Sequence, residues 1–286
     1  MQASQASPWK RADLHLHTSF SGWRSLRLID AQDCYVAPDE AFAAARARGM
    51  DYVCFTDHNT IDGAHDFLAR HPEHEPRVIV GEEIETTFPG SEQWIHLGVL
   101  DVDERLHEDL ARLRPDCYEL IAELERRGRF FVLNHPFQSF RTRRALRRHL
   151  APLLARVPAV EVVNSTSPAS HARILPGLLR DVGRVGGSDA HTCRRIGAAY
   201  TTAPGGTKHE FLDNLKRGTC AIGGGPAGLG SLVRDVYTVI GQYYARLSPR
   251  RPRSALGGAV LLPAVLGGVP ALLTLAQALR QEWVAR

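Results

Sequence analysis

The chain has 286 residues, of which 44% are hydrophobic and 23% are charged. This composition is typical of a globular protein and excludes a disordered, collagenous or coiled-coil chain. The 35 basic and 31 acidic residues nearly balance, and the resulting net charge of +4 is too small to indicate nucleic-acid binding. Five cysteines without a CxxC pair favour a reducing compartment over a disulfide framework.

Strand-like and helix-like segments alternate along most of the chain. Short apolar runs predict strands at 11–16, 51–56, 77–81, 94–100, 129–134, 159–164, 184–187 and 197–202. Helical spacing of apolar residues predicts helices at 38–49, 103–127, 141–156, 168–182 and 231–246. This alternation is typical of an α/β protein whose parallel strands are joined by helical crossovers.

Side chains that bind metals recur at or just beyond the ends of these strands. In chain order they are Asp13, His15, His17, Asp57, His58, Glu83, His96, His135, Asn164, Asp189 and His191. Asp13, His15 and His17 alternate, so an extended strand would turn all three side chains to one face. Imidazole and carboxylate ligands together suit zinc, iron or manganese.

Each of these residues also has a simpler interpretation. A single histidine on a strand is usually an ordinary core or surface group, and an HxH spacing arises easily by chance. The joint pattern is more specific, because six of the thirteen histidines and two acids follow consecutive strands. The carboxyl ends of barrel strands carry the active sites of α/β barrels. The pattern therefore predicts a metal site at one end of a barrel.

Six motifs carry a resemblance to a known family. They are DLHLHTSFS, FTDHNT, GEEIETT, IHLGVL, VLNHPF and GGSDAHT, in this order from residue 13 to about residue 192. The set resembles the PHP (polymerase and histidinol phosphatase) family of metal-dependent phosphoesterases. The resemblance implies a distorted (β/α)7 barrel that holds two or three divalent ions, which we expect to be Mn, Zn or Fe.

The resemblance also implies a ligand set for each ion. One ion would be held by His15, His17, Glu83 and Asp189. A second would share Glu83 and add His96 and His135. A third would use His58 and His191 with one further ligand.

The further ligand of the third ion is missing from its usual place. Members of the family typically carry a His or Asp about five residues after the second His of HxH, where this chain has Gly22. Three acids in the following segment are candidates, and the sequence selects none of them: Asp30, Asp33 and Asp39. The alternative is a two-metal enzyme in which His58 and His191 contact the substrate.

The expected chemistry is hydrolysis. Two ions that share a carboxylate lower the pKa of a bridging water and neutralise charge on phosphate oxygens. We therefore expect a metal-dependent phosphoesterase that hydrolyses a small phosphomonoester or a nucleotide-type phosphoester through a metal-bound hydroxide. His58 and His191 are candidate catalytic residues, and Arg194 and Arg195 are candidates for clamping a phosphate.

Two other functions stay open at this point. The same ions could hydrolyse a non-phosphate ester or an amide, since a metal hydroxide also attacks carbonyl carbon. Alternatively, the barrel could be a non-catalytic metal-binding scaffold tethered to a membrane. Five arginines in 141–149 indicate a solvated helix face, with a phosphate-rich partner as the alternative. We expect no nucleic-acid groove, because no aromatic residues are interleaved with these arginines.

The end of the chain is strongly apolar. Residues 254–279 contain no charged side chain and are long enough to span a bilayer as a helix. The alternative is a buried helical hairpin broken at Pro263 and Pro270. More arginines precede this segment than follow it: Arg246, Arg250, Arg251 and Arg253 against Arg280 and Arg286. If the segment spans, this excess places the rest of the chain in the cytoplasm.

These observations predict an α/β protein, a distorted (β/α)7 barrel with a C-terminal helical, apolar extension. We expect a PHP metallo-phosphoesterase domain at 11–222, a glycine-rich turn and linker helix at 223–253, and a candidate transmembrane or buried apolar helix at 254–279. No apolar signal region precedes the first strand, so we expect a cytoplasmic protein, held at the cytoplasmic face of a membrane if the tail inserts. Paired glycines in the tail would allow close helix approach in a homodimer.

Overall fold

The computed structural model describes residues 8–21, 31–247 and 252–286, and side chains within these ranges except those of 252–256. Two residues of the argument about the third ion, Gly22 and Asp30, lie outside the described residues. Arg250 and Arg251, which enter the argument about the tail, also lie outside them.

The described strands form one sheet. They are β1 (Trp9–Asp13), β2 (Tyr52–Phe55), β3 (Val78–Thr87), β4 (Trp94–Leu100), β5 (Phe131–Leu133), β6 (Ala159–Asn164), β7 (Gly183–Gly187), β8 (Ala199–Pro204) and β9 (Ala221–Gly224). Their order in the sheet is β7-β6-β5-β4-β3-β2-β1-β8-β9. The hydroxyl of Thr201 on β8 donates to the Gly186 carbonyl on β7 and accepts from its amide, both at 2.9 Å. The sheet therefore curves into a nearly closed barrel.

Helices cover the outside of this sheet. They are α1 (Pro38–Ala47), α2 (Asp62–Arg70), α3 (Glu104–Leu113), α4 (Cys117–Arg126), α5 (Pro136–Ser139), α6 (Arg143–Leu154), α7 (Ala169–Leu178), α8 (Lys208–Lys216), α9 (Leu229–Ala245), α10 (Pro252–Leu266) and α11 (Val269–Ala285). A short 3-10 helix, Pro72–Arg77, precedes β3. In α4, Cys117, Leu120, Ile121 and Leu124 are buried at the spacing of one helix face. This apolar face supplies part of the core between helices and sheet.

The α/β barrel with a helical extension is confirmed, but two strand directions differ from the parallel prediction. β4 runs antiparallel to both β3 and β5, and β8 runs antiparallel to β1. Only residues 88–93 connect β3 with β4. A parallel neighbour needs a crossover of roughly a dozen residues or more, so this short link closes a hairpin instead.

Local chemistry explains two further differences from the predicted elements. The predicted helix 103–127 is two helices, because Pro115 interrupts it and the Asp116 side chain caps α4 by accepting from the amides of Tyr118 and Glu119. The glycine-rich turn predicted from residue 223 begins as part of β9. A Cβ on Gly223 would lie 2.3 Å from the Tyr200 ring, so glycine here allows two strands to pack closely.

The apolar end of the chain forms α10 and α11. Within the described residues no single helix is long and apolar enough to cross a membrane, whereas 257–266 and 269–285 meet that test together but bend by 72° at their junction. The end of α11 packs on the barrel, because Gln281 and Val284 are buried and the Arg280 guanidinium donates to the carbonyls of Gln138 and Phe140 at 3.2 Å. Membrane association of 254–279 stays a prediction.

Candidate metal centre

The predicted metal ligands meet at one end of the barrel. His15 and His17 follow β1, His58 follows β2, and His135 follows β5. The remaining four lie on β3, on β4 and directly after β7: Glu83, His96, Asp189 and His191. Apart from the half-buried His191, all of these side chains are buried. Residues far apart in sequence therefore form one cluster. Most of them follow the carboxyl end of a strand, as expected for a barrel, whereas Glu83 and His96 lie within the two strands of the β3–β4 hairpin.

The first group has the spacing of a four-ligand metal site. The Nε2 atoms of His15 and His17 lie 3.2 Å apart. Glu83 Oε2 is 3.2 Å from the first nitrogen and 3.4 Å from the second. Asp189 Oδ1 is 3.5 Å and 3.4 Å from the same two nitrogens. A tetrahedral ion with bonds of about 2.1 Å has ligand atoms about 3.4 Å apart, and these five distances are close to that value.

The other oxygen of Glu83 faces a second group. Glu83 Oε1 lies 3.2 Å from His96 Nδ1 and 2.9 Å from His135 Nε2. The side-chain amide of Asn134 donates to the same oxygen at 2.9 Å and so fixes the rotation of the carboxylate. Glu83 thus offers one oxygen to each of two neighbouring positions. This is the arrangement that the sequence predicts for the shared ligand.

Asp33 supplies the acid missing from the third group. Its Oδ2 lies 3.5 Å from His58 Nε2 and 3.3 Å from His191 Nε2. The side chain of Asp39, another of the three candidates, instead accepts from Arg70 and pairs with His71 on the outside of the barrel. Among the described candidates, Asp33 is the one that lies with these two histidines.

The charges in the cluster compensate one another. Burial opposes ionisation of Glu83, yet the surrounding histidines hold the pKa of its carboxyl well below the usual value. Burial lowers the pKa of His17, but the nearby carboxylates of Asp189 and Glu83 raise it to about 10. His58 differs, because burial dominates and holds its pKa well below the ordinary value. A neutral imidazole is the form of histidine that binds a metal.

The donor atoms fit divalent cations. Within the described part of the chain, three buried carboxylate oxygens have no hydrogen-bond partner: Glu83 Oε2 and Asp33 Oδ1 lie in this cluster, and Glu82 Oε1 lies outside it. A buried carboxylate oxygen left unpaired costs free energy unless a cation or a water satisfies it. Glu83 Oε2 lies within 3.4 Å of imidazole nitrogens without forming a hydrogen bond to them. A shared cation is the simplest partner for this group of atoms.

A buried acid on β6 orients this cluster, although the sequence argument did not select it. Glu161 Oε1 lies 3.0 Å from His15 Nδ1, and since a carboxylate only accepts, that nitrogen carries the proton. His15 Nε2 is then left free to bind an ion. Glu161 Oε2 accepts from the His135 amide at 3.0 Å and from Asn164 at 2.8 Å. The available signal was a single acid within the apolar run AVEVVN.

The backbone is strained or closely packed at three residues in or beside this cluster. His135 and Asp189 both have a left-handed backbone conformation, with φ values of 26° and 52°. Residues other than glycine rarely adopt this conformation, and where they do the strain commonly marks a functional site. A Cβ on Gly187 would lie 2.5 Å from His15 Cβ and 2.8 Å from Glu161 Oε1. Glycine there lets β7 approach the cluster.

Asp13 and the two predicted phosphate-binding arginines have other partners. Asp13 accepts from the amides of Ser188 and Gly197 and so holds the loop after β7 in place. Arg194 and Arg195 both pair with Asp235 on α9. One carboxylate is thus shared by two guanidinium groups, which leaves one positive charge uncompensated within this group of three. These arginines attach α9 to the barrel, and the phosphate clamp stays a prediction.

Replacing the orienting acid is expected to weaken metal binding. Glu161→Gln keeps the size of the side chain, but its amide can donate to His15 Nδ1 and so favours the wrong tautomer. Loss of such a supporting contact typically lowers metal affinity by about 10- to 100-fold. Competition with a chromophoric chelator measures this change.

Glu82→Gln is the matched control for that experiment. Glu82 is equally buried, at 2% exposure, but pairs with His107 on α3 rather than with the cluster. We expect the control to bind metal as the unchanged protein does. Equal affinities for Glu161→Gln and the unchanged chain would refute the orienting role.

Sequence comparisons agree with this geometry. The family model described as the PHP domain matches residues 13–126, and the one described as PHP-associated matches residues 180–220. The uncharacterized protein MJ1587 of Methanocaldococcus jannaschii is 30% identical over 128 residues, which are 44% of this chain and 68% of that protein. The matched regions include every predicted ligand except His135.

Solved structures share the fold. PsfC from Pseudomonas syringae PB-5123 superposes with a TM-score of 0.51 at 20% identity, covering 90% of this chain and 99% of that one. The lesion-specific endonuclease PfuEndoQ from Pyrococcus furiosus has a TM-score of 0.51 at 14% identity, covering 75% of this chain and 58% of that one. At these identities the similarity concerns the fold alone. With the family matches and the clustered ligands, it follows that the chain belongs to the PHP family of metal-dependent hydrolases.

Proposed function

We propose that this protein is a metal-dependent phosphoesterase that hydrolyses a small phosphomonoester or a nucleotide-type phosphoester. The observation that carries the proposal is the position of Glu83, whose two oxygens face two separate sets of imidazoles. Divalent ions such as Mn, Zn or Fe, when bound, supply Lewis acidity toward a phosphoryl oxygen and lower the pKa of water.

The residues of the chain do the positioning. Glu83 and Asp189 hold negative charge deep in the cluster, and the neighbouring histidines keep both carboxyls ionised. Asn134 and Asn164 fix the rotation of these two carboxylates through hydrogen bonds of 2.9 Å and 3.1 Å. A site ordered in this way does not need to reorganise during the reaction, which favours catalysis.

Access to the cluster is through its third group. The His191 side chain is 25% exposed, whereas the side chains of the other predicted ligands are at most 9% exposed. A substrate therefore reaches the ligands over His191, with Asp33 and His58 directly beneath it. Because most of the predicted ligands are deeply buried and only His191 is partly exposed, we expect a small substrate or a single exposed phosphate group to reach them.

Three chromogenic esters with the same leaving group test the proposal. The substrates are p-nitrophenyl phosphate, bis(p-nitrophenyl) phosphate and p-nitrophenyl acetate, each assayed with added Mn²⁺, Zn²⁺ or Fe²⁺. We expect release from the phosphomonoester, its loss after treatment with a chelator, and its return when metal is restored.

Asp189→Ala serves as the inactive control, since it removes one ligand of the first group. Hydrolysis of the acetate ester alone would favour the alternative, a hydrolase of non-phosphate esters or amides. Equal rates for the Asp189→Ala variant and the unchanged protein would contradict catalysis at this site.

A further inference from the structure

The bent pair, residues 257–279 of α10 and α11, exposes apolar side chains to an unusual degree. Leu266 is 78% exposed and Val260 is 69% exposed, while Leu272 and Leu273 are each 64% exposed. Single exposed apolar residues are common on soluble proteins. In the bent pair, exposed apolar residues follow one another on two consecutive helices. Such a continuous apolar patch marks an interaction surface.

The chemistry of this surface fits lipid. Between residues 257 and 279 the polar side chains are Thr274 and Gln277, and there are no charges. The Thr274 hydroxyl donates to the carbonyl of Pro270 at 2.8 Å, so its hydrogen bond is satisfied within the helix. A protein interface usually supplies hydrogen-bonding groups and aromatic or arginine anchors. Hydrocarbon requires the opposite, namely helices whose polar groups are satisfied internally.

A row of arginines lies beside the base of this surface. Arg141, Arg144, Arg147 and Arg148, at and along the start of α6, are exposed. None of the four is within ion-pair distance of a carboxylate among the residues that the structure describes. The row adjoins α11, because the Arg143 guanidinium lies 4.7 Å from the centre of the Trp283 ring. Free cations next to an apolar helix complement an anionic membrane surface.

The geometry favours insertion into one leaflet. α11 has 17 residues and is therefore about 25 Å long, shorter than a hydrocarbon core of about 30 Å. Its junction with α10 is bent by 72°. Its last turns are held to the barrel, where Ser170 donates to Glu282 at 2.6 Å. α10 is held as well, because the hydroxyls of Tyr237 and Tyr244 on α9 donate to the carbonyls of Val265 and Gly258 at 3.3 Å and 2.8 Å. A pair that is bent and held in this way cannot easily place its two ends on opposite sides of a bilayer.

We propose that the bent pair inserts into one leaflet of an anionic membrane while the arginine row of α6 contacts the lipid phosphates. Trp283, which is 52% exposed, lies between the two and would sit at the headgroup level. The barrel stays on the side from which the pair inserts. This inference does not depend on the reaction that the metal centre performs.

Co-sedimentation of the full chain with vesicles tests the proposal. The probes are vesicles of phosphatidylcholine alone and of phosphatidylcholine with phosphatidylserine. We expect strong binding to the anionic vesicles, weak binding to the neutral ones, and release by high salt. Leu266→Cys should stay unreactive toward a membrane-impermeant thiol reagent enclosed in the vesicles, since only a spanning segment would reach the far side.

Two variants separate the apolar and the charged contributions. Leu272→Glu with Leu273→Glu should abolish binding to both vesicles. Arg144→Gln, Arg147→Gln and Arg148→Gln together should weaken binding to the anionic vesicles by roughly 100-fold, at about fivefold per charge. The matched control removes three exposed arginines on other elements, Arg77, Arg105 and Arg217, and should bind nearly as the unchanged protein does. Unchanged metal content verifies that each variant is folded.

Three results would overturn the proposal. The first is absence of binding to either vesicle by the unchanged chain. The second is labelling of Leu266→Cys by the enclosed reagent, which would identify a span. The third is a lipid-free dimer that Leu272→Glu dissociates, which would identify a second copy of the chain as the partner.

Discussion

Glu83→Gln is expected to remove the shared position of the metal centre and lower hydrolysis by on the order of 1000-fold, the equivalent of several kcal/mol of metal-assisted stabilisation. Both oxygens of Glu83 face imidazoles, Oε2 toward His15 and His17 and Oε1 toward His96 and His135. An uncharged amide offers only one acceptor, so one of the two groups loses its carboxylate ligand.

Metal content and rate are measured on the same preparation. Elemental analysis should show at least one ion fewer per chain, and turnover of p-nitrophenyl phosphate should fall in parallel. Glu82→Gln is again the matched control, because this neighbouring residue is buried but contacts His107 on the opposite face of the sheet. A Glu83→Gln protein with its full complement of metal would contradict the bridging role.

Asp33→Asn is expected to remove the outermost ion and leave the two deeper ones in place. Burial favours the neutral acid, but the His191 and His58 imidazoles hold the pKa of Asp33 below its usual value, so it is a carboxylate at neutral pH. Replacing this charge leaves two imidazoles to hold the ion. Two neutral ligands bind a divalent ion weakly. We expect the loss of one ion per chain and a fall in turnover on the order of 100-fold.

Asp39→Asn provides the control for this prediction. Asp39 was an equal candidate by sequence, but its carboxylate pairs with Arg70 and His71 away from the cluster. Its replacement should change neither metal content nor turnover. If the unchanged protein holds two ions and Asp33→Asn raises only KM, then Asp33, His58 and His191 contact the substrate, and the two-metal alternative is correct.

The sequence by itself predicted the fold class, which the structure confirms, and a set of metal ligands, which stays a prediction. Apolar runs that end in histidine or acid can be recognised locally, because each strand and its terminal side chain are adjacent in the chain. The structure then brings His15, His17, His58, Glu83, His96, His135, Asp189 and His191 to one end of the barrel. Most of these residues follow the carboxyl end of a barrel strand, and such ends meet at one edge whatever the loops between them. Glu83 and His96 instead lie within β3 and the antiparallel β4, so their place in the group depends on that hairpin.

The tertiary structure decided which polar groups act together. Asp33, Asp39 and Asp30 are equivalent in sequence, and only packing places Asp33 between His58 and His191. Likewise, the proximity of Arg194 and Arg195 to His191 in sequence suggested a phosphate clamp, but Asp235 on a distant helix pairs with both. Partners separated by many residues leave no local pattern, since their contact depends on how the intervening elements pack.

The same distinction applies to the apolar tail. An uncharged run of helix-forming and small residues is visible in the sequence and predicts a segment that avoids water. The break between α10 and α11, the 72° bend there and the attachment of Arg280 to the carbonyls after β5 are properties of the folded chain. Hydropathy is a sum over residues and contains no information on the direction of the chain. It therefore cannot distinguish one straight helix that spans a membrane from two helices with a bend between them. That difference depends on the direction of each helix and on the surface that anchors its end.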